Sequence, residues 1–311
     1  MVANATGSRF SRAADTRMEV LTTGPRDQRR CHVLDIPVDA CRDVTAAAIG
    51  LHAEGGGQIV TLNAEMTMLA RRNIDLGAVI RAADLVVPDG AGVVWALARQ
   101  GVRVKRSPGI ELAWSLLNYA EAHGWRVALV GASPEVMDRL CDRLAQQSPE
   151  LQLVFAEHGY QDASAWPELE TRLRRLSPDL VLVALGVPLQ EIWIQRMRDQ
   201  LPGLWMGVGG SFDVWSGLKQ RAPGWTSRLQ LEWLYRLLQD PSRWRRYLAL
   251  PHFAWSVLCR RKATALNASA ETNGGLPDEG QQQEKQRNDR EDVDQRTESL
   301  IGLWKLGQQI K

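Results

Sequence analysis

The chain has 311 residues, of which 44% are hydrophobic, and a formal net charge of +2 at pH 7. This length is enough to bury one large core or two small ones, and the small net charge argues against general nucleic-acid binding. The four cysteines form no CxxC pair. They therefore indicate free thiols in a reducing cytosol rather than a disulfide framework.

Short apolar runs alternate with amphipathic stretches between residues 31 and 217. The apolar runs predict strands at 32–36, 58–62, 85–87, 126–130, 151–155, 180–185 and 204–208. The amphipathic stretches predict helices at 40–53, 64–71, 75–83, 90–100, 109–123, 134–147, 165–176 and 189–200. This alternation predicts an α/β catalytic core with a mostly parallel, doubly wound (Rossmann-like) sheet. Ligands bind such sheets beyond the carboxyl ends of the strands, so candidate site residues are those that follow the strands.

The segments that flank this core differ from it in composition. Residues 1–30 and 263–311 are polar and lack apolar periodicity, which predicts a disordered extension and a disordered tail. Residues 218–262 are rich in Arg and Trp and predict a helical, membrane-associating appendage. The longest apolar run, 247–258, is shorter than the roughly 20 residues that span a bilayer. The N-terminal residues lack the apolar stretch of a secretion signal, so we expect a cytoplasmic protein.

The first two candidate positions follow the strands at 58–62 and 85–87. Thr61 and Asn63 place a hydroxyl and an amide where they can hydrogen-bond a sugar or a base, although Asn63 also fits a helix N-cap. Asp89 stands between Pro88 and Gly90. A carboxylate at that position can reach a substrate hydroxyl and act as a general base. An N-cap for the helix at 90–100 is the alternative for Asp89.

The later strands end in further polar or aromatic residues. After 126–130, Gly131 begins a turn without the GxGxxG pattern, which favours a plain turn over a dinucleotide site. Tyr160, after the next strand, can stack on a base or close the core. Gln190 lies in the first turn of the helix at 189–200, where it can face the crevice. Asp213 follows two glycines and fits either contact with a base or ribose or an Asx cap.

The segment 221–246 interleaves arginines with Trp225, Trp233 and Trp244. Arginine suits phosphate oxygens, and tryptophan suits a membrane–water boundary. Arg243 and Arg246 are three residues apart and share a helix face, whereas Arg245 does not. A solvated basic face is the alternative, but the apolar run at 247–258 favours a pair of interfacial helices.

The order of these motifs along the chain resembles the WecG/TagA/CpsF family, glycosyltransferase family 26. The motifs are Thr61-Leu62-Asn63, Pro88-Asp89-Gly90, Arg106-Ser107-Pro108-Gly109, His158-Gly159-Tyr160, Gly186 to Glu191, Val208 to Asp213, Arg221 to Trp225, Glu232 to Leu237 and Pro241 to Tyr247. They cover roughly residues 32–258, so both termini fall outside the resemblance.

The resemblance implies an inverting transfer of a hexose, of the N-acetylmannosamine type, from a UDP-sugar to a polyprenyl-diphosphate-linked acceptor. It implies surface-polysaccharide synthesis at the inner face of the cytoplasmic membrane, without a metal or other cofactor, and it leaves self-association open. The residues that it implicates are Asp89 as general base, Thr61, Asn63, Arg106 and Gln190 at the sugar, Tyr160 and Asp213 at the uridine, and Arg236, Arg243 and Arg246 at the diphosphate leaving group.

Two other classes of protein compete with this interpretation. A dehydrogenase on a doubly wound sheet is disfavoured because GxGxxG is absent and no acid follows Gly131 at the required strand end. A non-catalytic protein that binds nucleotide or lipid phosphate at a membrane surface would use only the Arg/Trp appendage. In that protein Asp89 and Gln190 would be structural.

Overall fold

The computed structural model describes residues 29–220, Tyr235 and 248–267. The strands are β1 Arg29–Val33, β2 Ile36–Ala40, β3 Gly56–Leu62, β4 Leu85–Pro88, β5 Arg126–Gly131, β6 Gln152–Glu157, β7 Leu180–Ala184 and β8 Gly203–Gly207. The helices are α1 Val44–Ala53, α2 Ala64–Ala70, α3 Ile74–Ala82, α4 Ala91–Arg99, α5 Gly109–His123, α6 Pro134–Gln147, α7 Trp166–Leu176, α8 Leu189–Arg198, α9 Ser211–Trp215 and α10 Ala249–Asn267.

Six strands form one parallel sheet in the order β4-β3-β8-β7-β5-β6, which confirms the prediction of a mostly parallel sheet. Successive residues of a strand point to opposite faces, and both faces are covered. Ile59 belongs to a buried cluster that includes residues of α1, α5, α6 and α9, whereas Val60 belongs to one that includes residues of α2, α3, α4 and α10. Helices α7 and α8 cover the far end of that second face. Burial on both faces is why these strands are continuously apolar in the sequence.

The single strand predicted at 32–36 is wrong, because a turn at Leu34 and Asp35 divides it into β1 and β2. The two strands pair antiparallel, with Val33 opposite Ile36. Leu34 and Asp35 have φ of 52° and 70°, the positive values that a two-residue hairpin of matching twist requires. The turn could not be predicted from the sequence, because neither position holds the glycine or asparagine that usually marks such a turn.

The predicted start of the first helix at residue 40 is also wrong. Residues up to Ala40 belong to β2, and α1 begins only at Val44. Asp43 caps it by accepting a hydrogen bond from the Ala46 N–H at 3.0 Å.

A buried carboxylate joins this hairpin to the large sheet. Asp39 is 4% exposed and accepts hydrogen bonds from Arg30 Nε at 2.8 Å and Arg30 Nη2 at 2.9 Å. Its Oδ2 also accepts from the Val86 N–H on β4 at 2.8 Å. The carboxylate raises the pKa of the Arg30 guanidinium through this hydrogen bond, so the guanidinium stays charged.

Helix α10 packs on the core through Phe253, which is 2% exposed and contacts the buried residues of α2 and α4. The helix continues to Asn267, past the boundary predicted at 262. Trp255 and Leu258 are exposed on it, as is Leu248 just before it. Residues 221–234 and 236–247, with most of the predicted Arg/Trp appendage, lie outside the described residues. Within the described part of the chain, no helix has the length and apolar character to cross a bilayer.

Asp39→Ala should lower the free energy of unfolding by roughly 2–3 kcal/mol, because it leaves the buried Val86 N–H without its acceptor and removes the carboxylate partner of the Arg30 guanidinium. Urea denaturation measures this loss. The matched control is Arg139→Ala, which removes an exposed i,i+4 pair with Glu135 and should change stability by less than about 0.5 kcal/mol. Equal losses in the two variants would contradict a joining role for Asp39.

Candidate active site

Thr61 and Asn63 lie at the carboxyl end of β3. The Asn63 side chain accepts a hydrogen bond from the Met66 N–H at 2.9 Å, so it is the N-cap of α2. The half-buried Thr61 side chain lies against Gly109, where an added Cβ would be 3.0 Å from both Thr61 Oγ1 and Thr61 Cγ2. Gly109 therefore allows the start of α5 to approach the end of β3.

Asp89 is half-buried just after β4, and its carboxylate does not cap the helix that follows it. The N-cap of α4 is Gly90, which has no side-chain cap bond, so the capping alternative for Asp89 is wrong. Asp89 Oδ1 instead accepts a hydrogen bond from the N–H of Gly109, the first residue of α5, at 3.2 Å. The negative carboxylate thus lies at the N-terminus of a 15-residue helix, where the helix dipole is favourable to it.

Gly90 brings this carboxylate beside the end of β3. The backbone N–H groups of Asp89 and Gly90 both donate to Leu62 O, at 3.0 and 3.3 Å. A Cβ at Gly90 would lie 2.9 Å from Asn63 Cβ and 3.1 Å from Asn63 Cα. Only glycine lets the two strand ends pack this closely, which gives the PDG motif a steric explanation.

Two hydrogen bonds hold the loop before α5 against the end of β4. Arg106 Nε donates to the Asp89 backbone oxygen at 2.7 Å, and the Ser107 N–H donates to Pro88 O at 2.9 Å. The structure therefore brings Thr61, Asn63, Asp89 and Arg106 together at the ends of two adjacent strands.

Gln190 belongs to a second group, at the carboxyl ends of β7 and β8. It is 3% exposed, and its Oε1 accepts hydrogen bonds from the Gly186 N–H at 3.1 Å and the Gly209 N–H at 3.2 Å. Its Nε2 donates to Glu191 Oε1 at 2.9 Å. The side chain thus holds the loops after β7 and β8 to each other, and its prediction as a sugar contact stays a prediction.

Sequence reasoning gave no role to Glu191, which it named only as the last residue of a motif. The structure buries it to 1% exposure, and Gln58 Nε2 of β3 donates to its Oε2 at 3.1 Å. Burial raises the pKa of Glu191 from 4.5 to about 7, although the hydrogen bonds from Gln190 and Gln58 oppose the rise. One sequence signal was available, since Gly207 ends an otherwise apolar strand, where glycine often marks a close approach.

Asp213 lies in α9 and does not cap it. The N-cap is Gly210, without a side-chain bond, so the Asx-cap alternative is wrong. Asp213 Oδ1 pairs with Lys219 Nζ at 3.0 Å, and the Asp213 backbone oxygen accepts from the Lys219 N–H at 2.9 Å. This carboxylate therefore contacts the last described residues before 221.

Tyr160 follows β6 and is 54% exposed, so the alternative in which it closes the core is wrong. The adjacent Gly159 N–H donates to Ala132 O at 2.9 Å, which joins the loops after β5 and β6. Ser133 caps α6 by accepting from the Val136 N–H at 3.3 Å, so the turn after β5 serves as a helix start.

The three arginines predicted at the leaving group, Arg236, Arg243 and Arg246, lie outside the described residues. Tyr235, next to the first of them, is helical and half-buried.

A parallel α/β sheet whose carboxyl edge gathers a half-buried carboxylate, an arginine and polar strand-end residues is the framework of a ligand-binding α/β enzyme. The chain belongs to the Glycosyl transferase WecG/TagA/CpsF family, whose profile matches residues 31–267. The resemblance carried by the motifs is thereby confirmed.

Two relatives carry the same printed name, N-acetylglucosaminyldiphosphoundecaprenol N-acetyl-beta-D-mannosaminyltransferase. The protein from Bacillus spizizenii (strain W23) is 38% identical over 212 residues, which are 68% of this chain and 82% of the relative. The protein from Bacillus subtilis (strain 168) is 36% identical over 210 residues, which are 67% of this chain and 81% of the relative.

Glu191→Gln should change how stability depends on pH. Because the pKa in the folded protein, about 7, exceeds the ordinary 4.5, the folded wild type binds this proton more tightly, and its stability falls as pH rises between these values. The variant lacks this titration. Its unfolding free energy minus that of the wild type should therefore rise by roughly 3 kcal/mol as the pH rises across that window.

Urea denaturation of both proteins from about pH 4.5 to about pH 8 measures this difference. A difference that stays constant with pH would contradict the raised pKa of Glu191.

Proposed function

We propose that this chain is an inverting glycosyltransferase that moves a hexose of the N-acetylmannosamine type from a UDP-sugar to a polyprenyl-diphosphate-linked sugar. Such a product is an intermediate of surface-polysaccharide synthesis. The family membership and the printed names of two relatives, each matched over more than four-fifths of its length, support this proposal. The geometry around Asp89 supplies a group able to carry the chemistry.

The observation that carries the mechanism is the position of the Asp89 carboxylate. It is half-buried at a strand end, and Oδ1 accepts the Gly109 N–H instead of capping α4. In the proposed step the acceptor hydroxyl oxygen attacks the anomeric carbon of the donor. Its proton passes to Asp89 as the bond between the sugar and the UDP oxygen breaks. Attack from the face opposite to UDP inverts the anomeric configuration.

The departing UDP gains negative charge on its terminal phosphate, which requires a positive partner. We assign this role to Arg236, Arg243 and Arg246, since guanidinium groups match phosphate oxygens in geometry and charge. The proposed reaction is independent of metal ions.

The remaining site residues bind the donor in this proposal. Thr61, Asn63 and Arg106, which lie around Asp89, take the transferred sugar together with Gln190. Tyr160, which is exposed, stacks on the uracil ring. Asp213 accepts a hydrogen bond from the uridine in place of its pairing with Lys219.

The acceptor determines where in the cell the enzyme acts. A polyprenyl diphosphate is anchored in the bilayer, so the enzyme binds peripherally at the inner face of the cytoplasmic membrane. The tryptophans and arginines of 221–246 suit an anionic lipid surface.

Asp89→Asn should lower kcat by about 10²–10⁴, the contribution of a positioned general base. The asparagine Oδ1 still accepts from the Gly109 N–H, so the fold should persist. The assay is UDP release from a panel of UDP-sugars with and without a short-chain polyprenyl-diphosphate-GlcNAc acceptor. Asp179→Asn is the matched control, since Asp179 Oδ2 also accepts a backbone N–H, that of Arg126 at 2.8 Å, but at the opposite edge of the sheet.

The proposal predicts acceptor-dependent release that is lost in Asp89→Asn and kept in Asp179→Asn. If Asp89→Asn turned over donor as fast as the wild type, Asp89 would not be the base. The alternative of a membrane-surface binding protein predicts no acceptor-dependent release from any donor.

Arg243→Ala and Arg246→Ala should each lower kcat by about 10²–10³, because each removes a donor to the leaving diphosphate. Arg245→Ala is the control, since helical spacing would put this neighbour on a different face from Arg243 and Arg246, and it should leave turnover within about threefold of wild type. Addition of EDTA should leave the rate unchanged. Equal losses at all three positions would point to lipid attraction instead of leaving-group stabilisation.

A further inference from the structure

Glu191 is a buried acid that the proposed chemistry does not use. Both of its carboxyl oxygens are occupied, Oε1 by Gln190 Nε2 at 2.9 Å and Oε2 by Gln58 Nε2 at 3.1 Å. Gln58 is itself fully buried on β3 and also donates to the Glu191 backbone oxygen at 3.2 Å. The carboxyl group is therefore anchored to β3 on one side and to the Gln190 amide on the other.

This contact decides which end of the Gln190 amide faces the loops. A glutamine amide has an acceptor end and a donor end. The N–H groups of Gly186 and Gly209 both need an acceptor, and Oε1 serves both. If the amide were turned over, its NH₂ group would face two N–H donors and its oxygen would face the Glu191 carboxyl group. The acceptor on Glu191 thus selects the orientation that holds both loops.

The sheet leaves room for this pair at one position. A Cβ on Gly207, the last residue of β8, would lie 2.6 Å from Glu191 Oε1 and 2.4 Å from Gln190 Nε2. Any other residue at 207 would displace the two side chains. The glycine at 207 thus indicates that the end of β8 accommodates the Gln190–Glu191 contact.

We propose that Glu191 is a positioning residue of the active site: it orients the Gln190 amide, which in turn fixes the loops after β7 and β8 relative to each other. The loop after β8 leads through Gly209 and Gly210 into α9 and Asp213. The consequence for donor binding rests on the proposed function, in which Asp213 holds the uridine. The consequence for the loops does not depend on it.

Holding Gln190 requires an acceptor at position 191 and does not require a negative charge. A neutral carboxylic acid keeps one acceptor oxygen, and so does the amide of Glu191→Gln. Glu191→Met has a similar length but no comparable acceptor, so it should release the Gln190 amide. Comparing the two variants therefore distinguishes the effect of the hydrogen bond to Gln190 from the effect of side-chain volume.

The matched control is Glu170→Met on α7. Glu170 is also buried, at 6% exposure, and accepts hydrogen bonds from Trp193 Nε1 at 2.8 Å and from Arg196. It lies on α7, and both of these partners lie further along α8 than Gln190. Its replacement removes a buried carboxylate that is paired with arginine and whose described hydrogen bonds do not involve Gln190.

The experiment measures two quantities on the full-length wild type and the three variants, at a temperature where all are folded. The first is hydrogen exchange at the Gly186 and Gly209 amides, and the second is the dissociation constant for UDP. Glu191→Met should exchange roughly tenfold faster at both glycines and bind UDP roughly tenfold more weakly, as expected for a lost buried hydrogen bond. Glu191→Gln should stay within about threefold of wild type in both, as should Glu170→Met.

Unchanged exchange in Glu191→Met, or equal acceleration in Glu170→Met, would overturn the positioning of the loops. Faster exchange without weaker UDP binding would make Glu191 structural only and would overturn its role in the site. If the wild type itself bound no UDP, the proposed function would fail. The exchange data would still decide whether Glu191 fixes the loops.

Discussion

The hydrogen bonds around Glu191 connect the interior of this fold with the carboxyl edge of its sheet. A carboxyl group buried to this degree is costly unless its oxygens are satisfied, and here two glutamine amides, from Gln58 and Gln190, satisfy them. These amides come from β3 and from the start of α8. The same interaction that offsets the burial therefore ties β3 to the loops after β7 and β8.

Close backbone contacts extend this constraint along the carboxyl edge of the sheet. At Gly90, Gly131 and Gly207 an added Cβ would come within 3.0 Å of Asn63, Ala184 and Gln190, respectively. Each glycine lies at the end of a strand or within two residues of it, and each lets a neighbouring group approach more closely than a side chain would permit. The strand ends are packed against one another, so the side chains that leave them have fixed starting points.

Two carboxyl groups at this edge have opposite environments. Glu191 is buried, its pKa is raised by desolvation to about 7, and its contacts are with the protein's own amides. Asp89 is half-buried and lies at the N-terminus of α5, which favours a negative charge. A buried acid can hold neighbouring loops in place, whereas a half-buried carboxylate can accept a proton from a substrate. In the proposed mechanism Glu191 has the first task and Asp89 has the second.

The sequence by itself determined the parallel α/β core and the order of the strand-end motifs, because hydrophobic periodicity and turn residues are local properties. It also determined the family, since the motifs and their order can be read from the sequence alone. Only the tertiary structure decided that Asp89 bonds to Gly109, 20 residues further on, and that Glu191 is buried against Gln58, 133 residues away. The hairpin turn at Leu34 was decided there too, because burial of its side chain, at 5% exposure, outweighs a backbone conformation that leucine disfavours. These outcomes depend on which distant segments meet, and local pattern carries no information about that.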